Sequence, residues 1–305
     1  MIDRTKIMPP PIRLCPELLT DSDNFFAGGF LDGGQVIPTK KSRTESHHQK
    51  YLITCGPAEA IRIRVTRNRD GELTMTDLEF NLSKLLFGHN GYCLDEDLFL
   101  RAMTLLLQYI KELVAEPEDA LRVIPGLVPR SEAYFQLMEI LFQVTDPDGA
   151  LFETFRNASH PCSSKRLTSV DESIRIGNKR SKTAVSIYRK TKQMIDLYGD
   201  DLVTTDNEIL RIELILKADH LAKAFTTEGA TTTPCIDVGM SKRLAGFRFD
   251  KLAMIHRIEM LRLRGVSPRP DTDTKYDMTG CFLAVAHHQM ESPGCMGLME
   301  LIDLY

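Results

Sequence analysis

The 305 residues contain no tryptophan, which excludes nothing by itself. They also contain no apolar run approaching the roughly 18 uncharged residues of a membrane-spanning helix. No membrane association is expected, and Met1-Ile2-Asp3-Arg4 lacks the basic-then-apolar order of a signal peptide. Charge of one sign is missing too: 38 Lys and Arg against 42 Asp and Glu leave a formal net charge of −4. The chain as a whole therefore has no polyelectrolyte character announcing nucleic acid, and any such signal has to be local. The seven cysteines (Cys15, Cys55, Cys93, Cys162, Cys235, Cys281, Cys295) form no Cys-x-x-Cys pair. An odd, scattered set predicts free thiols in a reducing compartment and argues against a disulfide framework or a structural zinc. Gly-x-x-x-x-Gly-Lys-Ser/Thr, Gly-x-Gly-x-x-Gly and Gly-x-Ser-x-Gly are all absent. Nucleotide-hydrolase, dinucleotide and serine-hydrolase readings thereby lose support. His47-His48 and His287-His288 are adjacent pairs, which point apart in a strand and make poor metal ligands.

What is present describes a folded chain. Hydrophobic residues make up 43% and charged residues 26%, the normal globular range, and the length allows one large domain or two ordinary ones. Residues 1–49 carry Pro9-Pro10-Pro11, two Gly pairs and the polar run Lys40 to His48, which predict an irregular N-terminal segment with at most a strand or two. Ile61, Ile63 and Val65 alternate with Arg62 and Arg64, and Arg69-Asp70-Gly71-Glu72 turns the chain into Leu73-Thr74-Met75. Two strands joined by a turn fit. Asp95 suits the N-cap of a helix in which Leu98, Ala102, Leu105, Leu106, Tyr109, Ile110 and Leu113 recur at spacings of three and four. Between Glu116 and Thr168, prolines break every pattern, and only Glu132 to Phe142 shows helical spacing.

Farther on, Ser173–Ile176, the turn at Gly177-Asn178 and Thr183–Tyr188 predict a β-hairpin. A helix from Lys192 to Tyr198 ending at Gly199 follows, then a strand over Ile209–Leu216. Ala218–Ala224 and Lys242–Arg264 read as helices. No internal repeat is visible. The expected fold class is α+β: an antiparallel sheet from these strands, with helices on one face and a small C-terminal helical extension.

Charge concentrates in one place. Between Cys162 and Lys192, nine cations (Lys165, Arg166, Arg175, Lys179, Arg180, Lys182, Arg189, Lys190, Lys192) stand against Asp171 and Glu172, a net of +7. A local basic hairpin is what phosphate contacts require, although a charge run is also the ordinary composition of a solvated face. Tyr188 stands inside it. On an extended strand Ala184, Ser186, Tyr188 and Lys190 share one side, so Tyr188 is expected to look outward among cations that favour its phenolate. The other reading is a half-buried strand tyrosine with its hydroxyl at the rim. Arg211 and Glu213 sit two apart and share a sheet face. There a carboxylate can hold a hard cation and an arginine a phosphate, or the two simply pair. In Leu85-Leu86-Phe87-Gly88-His89-Asn90-Gly91, Asn90-Gly91 suits a left-handed turn, and His89 is either a turn residue or a phosphate contact.

These segments resemble the replication initiators of filamentous phages, the gene II protein family. The resemblance is carried by Met1-Ile2-Asp3, by Leu85-Leu86-Phe87-Gly88-His89-Asn90 leading into the helix from Asp95, by Gly177 to Lys192 with its Tyr188-Arg189-Lys190-Thr191-Lys192, and by Leu210-Arg211-Ile212-Glu213. It covers roughly residues 50–115 and 170–225. It implies a sequence-specific, magnesium-dependent (or manganese-dependent) endonuclease for rolling-circle replication, which nicks one strand through a tyrosine and later rejoins the displaced strand. By position it makes Tyr188 the nucleophile, Lys190 and Lys192 its electrostatic supports and Glu213 a metal ligand. It places Lys179, Arg180, Lys182, Arg189, Arg211 and His89 on the DNA.

The implied partners are double-stranded replicative-form DNA, the displaced single strand, and a host helicase and polymerase, in the host cytoplasm. The implied division is an irregular segment 1–49, a nicking domain 50–225 and a helical extension 226–305. The family's Arg-x-Asp strand, expected after the helix from Asp95, has Arg122-Val123-Ile124 as its nearest counterpart, with isoleucine in the aspartate's place. The competing function is a catalytically inactive DNA-binding regulator of phage replication. A tyrosine recombinase would need His-x-x-Arg, which does not occur.

Overall fold

Period-two alternation and helical spacing account for most of the elements. The structure, a computed structural model, describes residues 2–15, 24–28, 31–38, 49–124, 133–146, 149–156, 158, 166–169, 173–177, 181, 183–199, 208–218, 256, 260 and 263. In chain order the elements are β1 (Ile2–Met8), β2 (Ile12–Arg13), β3 (Asn24–Gly28), β4 (Leu31–Pro38), β5 (Gln49–Cys55), β6 (Ile61–Arg67), β7 (Leu73–Asn81), α1 (Leu82–Phe87), α2 (Glu96–Leu113), α3 (Ala120–Val123), β8 (Tyr134–Thr145), α4 (Ala150–Thr154), β9 (Arg166–Ser169), β10 (Ser173–Ile176), β11 (Thr183–Arg189), α5 (Lys190–Tyr198) and β12 (Ile209–Lys217). Antiparallel pairing with a few helices makes this the expected α+β class. The chain divides into two units: Met1–Leu141 with Ile215–Arg248, and Phe142–Leu214 with Phe249–Tyr305. Among the described residues, no helix is long and apolar enough to cross a membrane.

In the first unit the strands run in the order β3-β4-β5-β6-β7-β1-β8, with β2 added beside β7. β6 shows why they pair. Ile61, Ile63 and Val65 are buried while Arg62 and Arg64 are exposed. The antiparallel register sets Ile63 against Ile53 of β5 and Leu78 of β7. Each such side chain withdrawn from water contributes roughly 1.5–3 kcal/mol, and a one-residue slip would turn the whole apolar set outward. The polar face carries charge in columns: Arg64 pairs with Asp77 at 3.1 Å, Lys6 with Asp77 at 3.5 Å and Arg4 with Glu139 at 2.6 Å. α2 begins as its sequence demands, since Asp95 accepts from the Leu98 N–H at 2.8 Å. It buries Phe99, Ala102, Met103, Leu106, Ile110 and Leu113 along one stripe.

Three expectations change here. The segment 1–49 is not irregular throughout: it supplies four strands, and β1 lies between β7 and β8 in the first unit's strand order. Its two-residue alternation is interrupted by register shifts against β8 between Ile2 and Thr5 and between Lys6 and Ile7, so a short sequence window underreads it. Glu132 to Phe142 does not form a helix. Tyr134–Thr145 is a strand paired antiparallel with β1, and Met138, Glu139, Ile140 and Leu141 are consecutively buried along it, which removes the period-two alternation. Arg122-Val123-Ile124 is not a strand either, since α3 occupies Ala120–Val123. The strand that follows α2 is β8, and its carboxylate is Glu139.

In the second unit the strand order is β12-β11-β10-β9. β10 and β11 form the expected hairpin, antiparallel with Ile174 opposite Ile187 and Ser173 opposite Tyr188. Gly177 has φ +99°, a value that favours glycine, at the turn. α5 begins at Lys190, two residues before the expected start, and Gly199 caps its end. The expected C-terminal helical extension lies outside the described residues, save His256, Met260 and Leu263, which are buried.

Candidate functional site

The candidate site belongs to the second unit and is assembled by β11, α5 and β12. Tyr188 comes one residue before the end of β11 and is half-buried. Its hydroxyl donates to Oε1 of Glu213 at 2.5 Å. The phenol therefore does not simply look outward among cations; it is held by a carboxylate 25 residues away in the chain. Glu213 is 8% exposed, and the same Oε1 lies 3.9 Å from Nη1 of Arg211. Arg211 and Glu213 alternate with Leu210, Ile212 and Leu214, all buried as well. The strand is covered on both faces, which is why its two charged residues had to find one another.

The backbone around this pair is stitched together by α5. The Thr191 N–H donates to Oε1 of Glu208 at 3.0 Å, and the Ile209 N–H donates back to Oγ1 of Thr191 at 2.9 Å. A carboxylate on the exposed amides of a helix's first turn satisfies donors that have no partner within the helix and suits the positive end of its dipole. The Asp146 N–H donates to the Glu208 carbonyl at 2.8 Å, tying down the residue before β12. The end of β11 and the start of β12 are thus anchored to one another through α5.

Lys190 is 1% exposed, and its ammonium lies 6.0 Å from the centroid of the Tyr188 ring while donating to Oε1 of Gln193 at 2.8 Å. It does not share a strand side with Tyr188, because the strand has ended and Lys190 is the first residue of α5. Proximity to the tyrosine comes instead from the helix folding back over the ring, at a cation–π distance. Lys192, two residues on, is exposed and falls about 200° around the helix from Lys190.

The residues assigned to DNA are dispersed. Arg211 is fully buried, so in this conformation it faces Glu213 and not solvent. Arg189 is half-buried with its guanidinium 5.1 Å over the Phe152 ring. That close approach depends on Gly149, where a Cβ would come within 2.8 Å of Nη2. His89 belongs to the first unit and is 7% exposed; its Nδ1 accepts from the Gly91 N–H at 3.1 Å and its ring packs 5.1 Å from that of Tyr92. Its turn role is accounted for, and the left-handed residue of that turn is Gly88 at φ +74°, which caps α1, not Gly91. Lys179, Arg180 and Lys182 lie outside the described residues.

Two carboxylates escaped the sequence reading. Glu208 caps α5, and Glu139 pairs with Arg4 inside the first unit. The signal for Glu139 was available: a lone acid amid Leu137, Met138, Ile140 and Leu141 implies a buried partner. The donors around Glu213 do not fit a magnesium ion. Its Oε1 already accepts a phenol proton beside a guanidinium, whereas a hard dication seeks several oxygen ligands. Among the described residues, no three His, Cys, Asp or Glu side chains gather as a metal-binding group.

Neither a protein-family model nor a curated protein sequence matches the chain.

Proposed function

We propose that the chain is a site-specific DNA-nicking and strand-joining enzyme of the rolling-circle type, acting on phage replicative-form DNA through Tyr188. The observation that carries this reading is the Tyr188 hydroxyl held by the buried Glu213 carboxylate, with the Lys190 ammonium over the ring. A phenol is a weak nucleophile at neutral pH, and a neighbouring proton acceptor together with positive charge is what activates one. The +7 segment around Tyr188 supplies the second support, since phosphate contacts draw on just such a concentration of Lys and Arg. The resemblance to gene II proteins supplies the third, in that its Tyr-Arg-Lys-Thr-Lys and Arg-Ile-Glu segments are the ones that meet at Tyr188 and Glu213.

In this reading the Tyr188 oxygen attacks a phosphodiester, leaving a 5′-phosphotyrosyl link and a free 3′-hydroxyl. The link conserves the bond energy, so the displaced strand can be closed later without a nucleotide cofactor. The magnesium requirement and the helicase and polymerase partners belong to the resemblance, and no step is derived through the metal. The test is incubation of the protein with supercoiled phage replicative DNA and magnesium. A nicked circle with protein bound to the 5′ end is expected; unaltered DNA at every divalent-ion concentration overturns the proposal. Shifted mobility of intact circles would favour the alternative, a non-enzymatic replication regulator using the same basic segment.

A further inference from the structure

We propose that Glu213 is the proton acceptor of the nicking step, not a metal ligand. The inference rests on the reading of Tyr188 as the nucleophile and assigns its carboxylate partner a chemical task. Three features of the site lead there. First, the phenol proton already points at Oε1 of Glu213, at 2.5 Å, so transfer needs no rearrangement. Second, Nη1 of Arg211 lies 3.9 Å from that same oxygen, and Arg211 is fully buried. A buried guanidinium at that distance places positive charge beside the carboxylate oxygen that faces the phenol. Third, both strands are pinned at α5 through Glu208 and Thr191, which holds residues 188 and 213 in register during the reaction.

The step balances without an added reagent. The Oη–phosphorus bond forms as the phosphorus–O3′ bond breaks, and the Tyr188 proton passes to Oε1 of Glu213. The departing 3′ oxygen takes a proton from solvent, and Glu213 later returns its proton there. Joining runs the same path backwards: the incoming 3′-hydroxyl loses its proton to solvent and bonds to phosphorus as the Oη–phosphorus bond breaks, and Glu213, having taken a proton from solvent, passes it to the released Tyr188. The Lys190 ammonium, 6.0 Å from the ring centroid, offsets the negative charge passing through the phenol oxygen.

The test compares Glu213→Gln, Glu213→Asp and replacement of Tyr188 by difluorotyrosine, whose phenol is more acidic, in nicking assays on supercoiled DNA. Gln can accept the hydrogen bond but not the proton, so nicking should fall by about 10²–10⁴-fold with an unchanged magnesium dependence. Asp, which retains a basic oxygen, should nick at least about tenfold faster than Gln. Difluorotyrosine should restore most of the Gln variant's loss, yet change the rate of the otherwise unaltered chain by less than about threefold. That last comparison leaves Glu213 in place and holds even if the Gln variant fails to fold. Nicking by Glu213→Gln near the wild-type rate overturns the assignment, as does a shift of its activity to higher magnesium, an absence of rescue, or a large acceleration of the unaltered chain by difluorotyrosine. Absence of nicking by the wild-type protein overturns the functional reading itself, and is thereby told apart from failure of the proton-acceptor role.

Discussion

Replacing Tyr188 by phenylalanine removes one oxygen and keeps the ring, and the structure sets what that should cost. The interaction removed is a hydrogen bond to a carboxylate that is 8% exposed, and such charge-assisted bonds contribute about 1.5–3 kcal/mol. The ring's packing remains, so no cavity term of the large-to-small kind is added. Tyr188→Phe should therefore lose about 1.5–3 kcal/mol in urea unfolding, well within the roughly 5–15 kcal/mol of an ordinary domain, and stay folded by circular dichroism. Its nicking of supercoiled DNA and its 5′-linked adduct should vanish, while DNA affinity in a mobility-shift assay stays near wild type. Tyr198→Phe is the internal control: Tyr198 ends α5 and lies ten residues from Tyr188, so it should nick normally. An adduct that persists in Tyr188→Phe, or that maps to Tyr198 by peptide mass, refutes the nucleophile assignment. A stability loss below about 0.5 kcal/mol would refute the hydrogen-bond argument independently.

Neutralising Lys179, Arg180 and Lys182 together should flatten the salt dependence of duplex binding, by about 0.9 in the log–log slope for each phosphate that is no longer neutralised; an unchanged slope would take this part of the hairpin off the backbone. Gly149→Ala should lose about 1–2 kcal/mol from the left-handed strain at φ +71°, with little added by the Nη2 of Arg189 that its Cβ would meet at 2.8 Å, because that tip of a flexible side chain can swing aside; wild-type urea stability would refute it. Burial pushes the Cys55 thiol from 9.0 up to about 12. Its folded value is raised, so the neutral thiol's contribution is fully present below pH 9.0 and is lost as pH climbs towards 12, by up to about 1.4 kcal/mol per pH unit. Alkylation of Cys55 at pH 8 should accordingly follow global unfolding, while that of half-exposed Cys15 should not; equal rates for the two thiols in the folded protein would contradict the burial argument.

Local chemistry alone carried a large share of the architecture. The strands at Ile61, Leu73, Ser173, Thr183 and Ile209 and the helix capped by Asp95 follow from alternation, helical spacing and a single side-chain cap. In each, the pattern repeats within a window shorter than the element itself. The pairing of Arg211 with Glu213 was legible for the same reason, because residues two apart on a strand share a face. The tertiary structure decided what no window contains. β8 became a strand despite helical spacing, since it pairs antiparallel with β1 and buries Met138 to Leu141 in succession, which erases the alternation a window would look for. β1 entered the interior of the first unit's sheet despite the prolines and glycines that follow it. Tyr188 turned from a tyrosine among cations into the donor to one particular carboxylate, because strand order and the anchoring of α5 brought residues 188 and 213 within hydrogen-bond reach. Sequence determines which side chains must be hidden and which must find partners; which partner each finds depends on contacts between residues far apart in the chain, and those exist only once the sheet has formed.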